Sequence, residues 1–219
     1  MYILNKKEAF FDKILSEYKL KGAGIPILSE SQLRLEQPIT ATSTQYTFPV
    51  LQGDVGQGQS SVLATEVRLQ TNDNFHIREI GFYLAQLVAA TDTSFKLKTY
   101  PNEIELGAVP ALDYFNIYNG LMKINVNQVD VLTNYGLIQH LFVPQTQRLS
   151  VVAAQNRDQV DFSENSREDL APSLMLSGAY TNTITVSLPG AVTNALAGSL
   201  TRMVIIFYGL RAQNAAIRK

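Results

Sequence analysis

The chain has 219 residues, and its 18 basic and 19 acidic side chains leave a formal net charge of −1. It contains no cysteine and only two histidines. These counts exclude a thiol nucleophile, a disulfide framework, a zinc site of cysteine ligands and a three-histidine metal centre. Charged residues make up 17% of the chain, whereas an average soluble domain has about 25%.

Neutral polar residues replace the missing charge: the chain has 14 Asn, 15 Gln and 16 Thr. Such side chains are cheaper to desolvate than charged ones, so they suit surfaces that meet other proteins. The same composition also fits an ordinary β-rich soluble protein, because threonine favours strands. With 46% hydrophobic residues, the chain can bury a sizeable core.

Charge is distributed unevenly along the chain. Residues 1–21 carry a balance of +2, residues 22–169 a balance of −7, and residues 170–219 a balance of +4. Basic ends are typical of contact with nucleic acid or with an acidic partner, although four charges over the last 50 residues also fit simple dilution. The candidate nucleic-acid-facing residues are Lys6, Lys7, Lys13, Lys19, Lys21, Arg211, Arg218 and Lys219.

The pattern over residues 6–20 predicts an amphipathic helix. Asn5 can cap it, and Gly22 and Pro26 favour its end. The apolar stripe, our candidate assembly arm, consists of Phe10, Phe11, Ile14, Leu15 and Tyr18. This stripe can dock on its own domain or on a neighbouring subunit. The first residues lack a signal-peptide pattern, and no apolar run is long enough to predict a membrane span.

From about residue 30 onward the pattern predicts strands. Residues 31–39 and 40–50 are rich in Thr and Gln with short alternations, and residues 52–61 form a glycine-containing loop. Residues 63–69 alternate cleanly, which predicts a half-buried strand with Val67 and Leu69 inward. Residues 75–84 predict the next strand, and a short helix is the alternative.

The second half of the chain contains the strongest turn signals. Asn119-Gly120 predicts a type I′ hairpin turn, and a slip in apolar phase at Asn127-Gln128 predicts a bulge or tight turn. Residues 135–143 predict a strand, and the polar residues 156–169 predict an exposed loop. Residues 203–208 are apolar on both sides, which predicts a central strand.

Catalytic patterns are weak. His76 and His140 each lie in an apolar strand pattern, where a histidine is more often structural than catalytic. The carboxylate pairs Glu103/Glu105 and Glu168/Asp169 can support acid–base chemistry, but in acidic loops they are more often solvated surface. We therefore predict no enzymatic activity, no cofactor and no metal.

The sequence predicts a mainly β protein, a single jelly roll or β-sandwich with an N-terminal amphipathic helix. Residues 1–24 would form a helical arm and residues 25–219 the β domain. The charge-poor β region, the turn at Tyr100-Pro101-Asn102, the segment Tyr118-Asn119-Gly120-Leu121 and the segment from Gly178 to Pro189 resemble viral or bacteriophage jelly-roll capsid proteins. The resemblance is one of style and carries no diagnostic motif.

That resemblance implies a capsid subunit that self-assembles into a shell through its loops and terminal arms. Its partners would be copies of itself, other virion proteins and, through the basic termini, nucleic acid. It would be made in the host cytoplasm and reside in the virion. A non-enzymatic carbohydrate- or surface-binding module of a tail or adhesin is the alternative, although the lack of tryptophan disfavours sugar stacking.

Overall fold

The computed structural model describes residues 6–20, 25–53, 66–86, 96–100, 112–142, 166–192 and 201–215. Within these ranges the protein is mainly β. The helices are α1 (Lys6–Leu20), α2 (Leu112–Tyr118) and a 3-10 helix (Leu137–His140). The strands are β1 (Ile27–Pro38), β2 (Gln45–Pro49), β3 (Asn74–Gln86), β4 (Lys96–Lys98), β5 (Leu121–Val126), β6 (Val129–Gly136), β7 (Arg167–Ser177), β8 (Asn182–Ser187) and β9 (Thr201–Gln213).

The strands form two antiparallel sheets. Sheet A has the order β1-β9-β3, and both β7 and the short β4 pair with the far side of β3. Sheet B has the order β2-β8-β5-β6. Neighbours in each sheet are mostly distant in sequence, because β1 pairs with β9 and β2 pairs with β8.

One hydrophobic core lies between the sheets. Sheet A contributes Phe82 and Phe207, and sheet B contributes Phe48, Ile124 and other side chains that are fully buried in the same cluster. Each sheet therefore buries one face against the other, which is an arrangement compatible with a β-sandwich. We call the core-facing side of each sheet its inner face and the opposite side its outer face.

Strand β9 is apolar on both faces. Ile205 and Phe207 belong to the core between the sheets, whereas Val204 and Ile206 are buried on the outer face of sheet A beside Tyr83. The strand lies between β1 and β3. The prediction that residues 203–208 form a central strand is therefore confirmed.

The predicted hairpin turn at Asn119-Gly120 is wrong. These residues end α2: the amide of Asn119 donates to the carbonyl of Phe115 at 3.1 Å, and that of Gly120 donates to Ile117 at 3.0 Å. A Cβ on Gly120 would lie 2.9 Å from the Ile117 carbonyl oxygen, so close packing explains the glycine. Asn-Gly marks a backbone reversal, and here the reversal follows a helix.

The hairpin turn instead lies at the predicted phase slip. Asn127 and Gln128 have φ values of 50° and 68° and connect β5 to β6. Two consecutive residues with positive φ are typical of a type I′ turn, which matches the twist of the flanking strands. The prediction of a bulge or tight turn at this point is confirmed as a tight turn.

Two further predictions need correction. The strand predicted over residues 135–143 ends at Gly136, because Leu137 and His140 are both buried on one side of a single 3-10 turn. The loop predicted over residues 156–169 becomes strand β7 from Arg167 onward, and its residues 156–165 lie outside the described ranges.

The alternation predicted for residues 63–69 is inverted at residues 66–68 but not at Leu69. Val67 is 46% exposed, whereas the side chains of Glu66 and Arg68 are 0% and 2% exposed and form a 2.8 Å ion pair. A charged pair that neutralises itself can be buried, so the polar face of this segment turns inward. Leu69 is buried as predicted.

Candidate assembly surface

Helix α1 lies on the outer face of sheet A. Ile14 and Tyr18, one turn apart, are 1% and 8% exposed and pack against Leu210, Ala212 and Ala215 at the end of β9. Phe10 packs against the same cluster and is partly buried. The sequence left open whether the apolar stripe docks on its own domain or on a neighbouring subunit. In this structure the centre of the stripe packs on its own domain.

The hydroxyl of Tyr18 anchors the helix to β3. It lies 2.9 Å from Nε2 of His76 and accepts a hydrogen bond of 3.1 Å from the amide of Asn74. The rings of Tyr18 and His76 meet edge to face, with centroids 5.5 Å apart. Burial raises the pKa of Tyr18, so the hydroxyl stays protonated and available as a donor. His76 therefore joins α1 to the sheet.

Three lysines of α1 reach across sheet A in opposite directions. Lys6 contacts Asp169 of β7 at 2.7 Å, and Lys13 donates to the hydroxyl of Ser173 on the same strand at 3.3 Å. On the other side, Lys7 contacts Glu30 of β1 at 2.7 Å. The hydrogen bond from Lys7 lowers the pKa of Glu30. These solvent-exposed contacts orient the helix more than they stabilise it.

The candidate basic residues do not form one patch in the described part of the chain. Arg211 binds Asp73 through two nitrogens at 2.5 and 2.6 Å, and that carboxylate also accepts the amide of Asn214 at 2.9 Å. Lys6, Lys7 and Arg211 thus face carboxylates of their own chain. Lys19 is exposed on α1, whereas Lys21, Arg218 and Lys219 lie outside the described residues.

A shallow groove of about 470 Å³ runs beside the first half of α1. Phe11 and Leu210 supply its apolar wall, and Lys7, Glu30 and Arg78 supply charges at its rim. Phe11 is 36% exposed, so the part of the apolar stripe that is not docked lines this groove. The groove mixes both signs of charge, which gives it no preference for an anion.

Three apolar residues at the end of α1 and near the start of β1 are more than half exposed. They are Leu20, Ile25 and Ile27, which are 87%, 60% and 68% exposed. Together with Phe11 they leave aliphatic and aromatic surface in water along α1 and near the start of β1. Exposed apolar side chains of this size are available for contact with another protein surface. We call these four residues the corner surface.

His140 connects the end of β6 to the start of β7. Its Nδ1 lies 2.6 Å from the carbonyl oxygen of Ser166, and the hydroxyl of Tyr135 lies 3.1 Å from Nε2. Since a carbonyl only accepts, Nδ1 carries the proton and Tyr135 donates to Nε2. Burial lowers the pKa of His140. The geometry fixes a neutral imidazole that holds two strands together.

A buried charge cluster on β1 and β9 escaped the sequence analysis. Glu36 is 0% exposed and is paired with Arg34 at 2.8 Å and with Arg202 at 3.3 Å. A side-chain oxygen of Glu66 accepts the backbone amide of Glu36 at 3.1 Å. The signal was present as alternate-residue pairs of opposite charge, at 34 and 36 and again at 66 and 68.

The candidate carboxylate pair that the structure describes, Glu168 and Asp169, does not converge with other groups on a site. Glu168 and Asp169 are neighbours on β7, and Asp169 is engaged by Lys6. Glu103 and Glu105 lie outside the described ranges. Within those ranges, no group of three or more His, Asp or Glu side chains is placed to hold a metal ion. Among the helices described, none combines the length and apolar character that crossing a membrane requires.

Comparison with protein-family models finds no match to this chain, and comparison with curated proteins finds none either.

Proposed function

We propose that this chain is a virion structural protein, a jelly-roll capsid subunit that assembles with copies of itself into a shell around the genome. The observation that carries the proposal is the strand order. With the three-residue β4 set aside, the eight remaining strands pair from the outside inward: β1 with β9, β2 with β8, β3 with β7, and β5 with β6.

This nested antiparallel pairing supports a jelly roll, because rolling up one long hairpin of eight strands produces it. The rolled hairpin then divides into two four-stranded sheets, as β1-β9-β3-β7 and β2-β8-β5-β6 do. Jelly rolls occur in viral capsids, lectins and cupins. By similarity of fold, the strand order therefore favours these three classes of protein.

Composition and surface favour the capsid among these classes. The chain replaces charge with neutral amides and hydroxyls, which are cheaper to bury against another subunit. It also exposes the apolar corner surface beside α1. A terminal helix that lies across a sheet, with exposed apolar side chains at its end, is suited to contact a neighbouring subunit.

Size-exclusion chromatography combined with electron microscopy of the purified chain tests the proposal. Closed shells or rings of uniform size support it. A monodisperse monomer that binds a glycan array contradicts it and favours the carbohydrate-binding alternative.

The corner surface can be tested separately from the fold. Deletion of residues 1–21 should impair assembly while strand content remains, as circular dichroism would report. Because this deletion also uncovers Leu210, the variant Phe11→Ser, which keeps α1 docked, is the cleaner probe. Normal assembly by both variants would reject a role for the helical arm.

A further inference from the structure

The described sheet edges differ in how well they are protected against pairing with another chain. Strand β6 carries two register shifts against β5, and Asn134 within it has a φ of 53°. Strand β7 bulges away from β3 between Asp169 and Leu174, around Pro172. Strand β2 has five residues, and beyond it Leu69 bonds to the backbone of Val50. Bulges, proline and short length are recognised protections of an edge.

Strand β1 has none of these protections before its last residue, Pro38. Its twelve residues pair with β9 in one continuous register, from Ile27 opposite Gln213 to Pro38 opposite Arg202. On its other side, Arg34 exchanges two backbone hydrogen bonds with Val67, at 3.0 and 3.1 Å. Arg34 therefore directs its backbone groups away from β9.

In an antiparallel strand, the backbone N–H and C=O groups of every second residue point to the same side. Leu28, Glu30 and Gln32 must also direct their N–H and C=O groups away from β9. In the described part of the chain, no backbone hydrogen bond reaches these three residues from that side. Among the described residues, a straight stretch of β1 thus presents three donors and three acceptors without a backbone partner, which we call the open edge of β1.

The side chains on this stretch do not repel a second strand. Glu30 is its single charged residue, and Lys7 at 2.7 Å and Arg78 at 3.8 Å compensate its carboxylate. Ser29 and Ser31 are small and neutral. At the start of the strand, Ile25 and Ile27 are exposed, and their contact with another chain would remove apolar surface from water.

We infer that the open edge of β1 pairs antiparallel with β1 of a second copy across a two-fold axis. The occupant is a second copy because an antiparallel edge is complementary to itself: donors and acceptors that repeat every two residues meet their own pattern after a two-fold rotation. With Glu30 opposite Glu30, Leu28 faces Gln32 of the partner and about six hydrogen bonds form. The pairing ends where Val67 already occupies the edge at Arg34.

The β1 pairing does not rest on the proposed capsid function, since any assembling β protein could use it. Two copies joined in this way would extend sheet A into one continuous sheet. Ile25 and Ile27 of the corner surface lie at the start of β1, so they would flank the new junction.

Cysteine cross-linking is a clean test because the native chain has no cysteine. The variants are Ser29→Cys, Glu30→Cys and Ser31→Cys, one at a time, under mild oxidation. Paired strands bring opposite Cα atoms to about 4.5–5.5 Å, which a disulfide can bridge. The variant nearest the two-fold axis should give a dimer on a non-reducing gel. Thr133→Cys, on the bulged edge strand β6, is the matched control and should stay monomeric.

A second variant blocks the edge without touching the internal ladder. Gln32→Pro removes an outward N–H, whereas the hydrogen bonds between β1 and β9 stay intact. It deletes two of the intermolecular bonds and should weaken dimerisation about tenfold. Light scattering over a dilution series should show a dimer of twice 24.3 kDa whose dissociation midpoint moves to a concentration about tenfold higher in the variant, and a thermal melt confirms that the variant is folded.

The outcomes separate this inference from the proposed function. Absence of cross-linking at all three positions, or equal cross-linking of Thr133→Cys, overturns the β1 pairing. Shells that form without a β1 cross-link overturn the pairing and leave the capsid proposal standing. β1-linked dimers that never form larger particles support the pairing and contradict the capsid proposal.

Discussion

The outer faces of the two sheets are built differently. On sheet A, Ile206 is 3% exposed, and Ile14 of α1 covers the end of the same strand. On sheet B, three neighbouring strands carry polar outer residues at the same level: Thr47, Thr185 and Lys123. The residues before and after each of these are buried. The central strands β3 and β9 of sheet A are therefore buried on both faces, whereas sheet B is buried on one face and has a polar outer face.

This difference limits where neighbouring copies can make contact. The outer face of sheet A is already covered within the subunit near α1. In the proposed assembly, contacts between copies would then use the corner surface, the open edge of β1 or the polar face of sheet B. Substitutions in the two sheets and at the helix test this contrast.

Gly209→Ala should destabilise the protein most. A Cβ at Gly209, in the centre of sheet A, would lie 1.8 Å from the backbone oxygen of His76. The two strands would have to separate, at a cost of about 4 kcal/mol or more in the free energy of unfolding. Urea denaturation measures the loss. Gly53→Ala is the matched control, since nothing lies within 4 Å of its Cβ, and a similar loss there would contradict the packing argument.

Ile206→Ala compares the outer faces directly. Ile206 is buried on sheet A, so its truncation should cost about 3 kcal/mol in the free energy of unfolding. Leu121 is 45% exposed at the end of β5 in sheet B, and Leu121→Ala should change that free energy by less than about 0.5 kcal/mol. Equal losses in the two variants would mean that the sheets do not differ in this way.

Tyr18→Phe tests how α1 is attached. It removes the hydroxyl that joins His76 and Asn74 and leaves the ring in place. The loss of these hydrogen bonds should cost about 1–2 kcal/mol, measured by thermal denaturation. Tyr180→Phe is the control, because Tyr180 is 43% exposed. An unchanged melting temperature in Tyr18→Phe would show that the hydroxyl contributes nothing to docking.

The smallest expected effect is a dependence on pH through His140. Burial holds the pKa of His140 below its usual value near 6.5, so the folded protein binds a proton there less readily than the unfolded chain. The contribution of neutral His140 to the free energy of unfolding is fully present above about pH 6.5. It declines as the pH falls towards the pKa of His140 in the folded protein. His140→Gln should flatten the fall in melting temperature between about pH 6.5 and 5. An identical slope in both proteins would exclude His140 as its source.

The parts of the fold that could be predicted are those governed by neighbouring residues. Ile184 and Val186 alternate with threonine, and they lie on the inner face of β8. The two-sided apolar pattern of β9 placed it in the centre of a sheet. The turn at Asn127-Gln128 followed from a phase slip.

The features that sequence analysis missed depend on distant partners. The pairing of β1 with β9 joins residues more than 150 positions apart, and no local pattern specifies it. Glu66 and Arg68 looked exposed because each is charged, but their mutual pairing allows both to be buried. Asn119-Gly120 correctly predicted a reversal of the backbone. The predicted hairpin was wrong, because a helix and not a strand precedes the reversal.

On the candidate surface, too, local features could be predicted and contacts with distant residues could not. The helical spacing of Ile14 and Tyr18 identified the apolar stripe, but only the fold shows that its centre packs on Leu210. The lysines were identified by charge alone, and the carboxylates that engage Lys6 and Lys7 come from β7 and β1.

Electron microscopy of the purified chain over a range of concentrations tests the central claim most directly. The account predicts closed shells or rings of uniform diameter, with Phe11→Ser giving fewer of them at the same concentration. Particles that remain single subunits of 24.3 kDa at every concentration would contradict it.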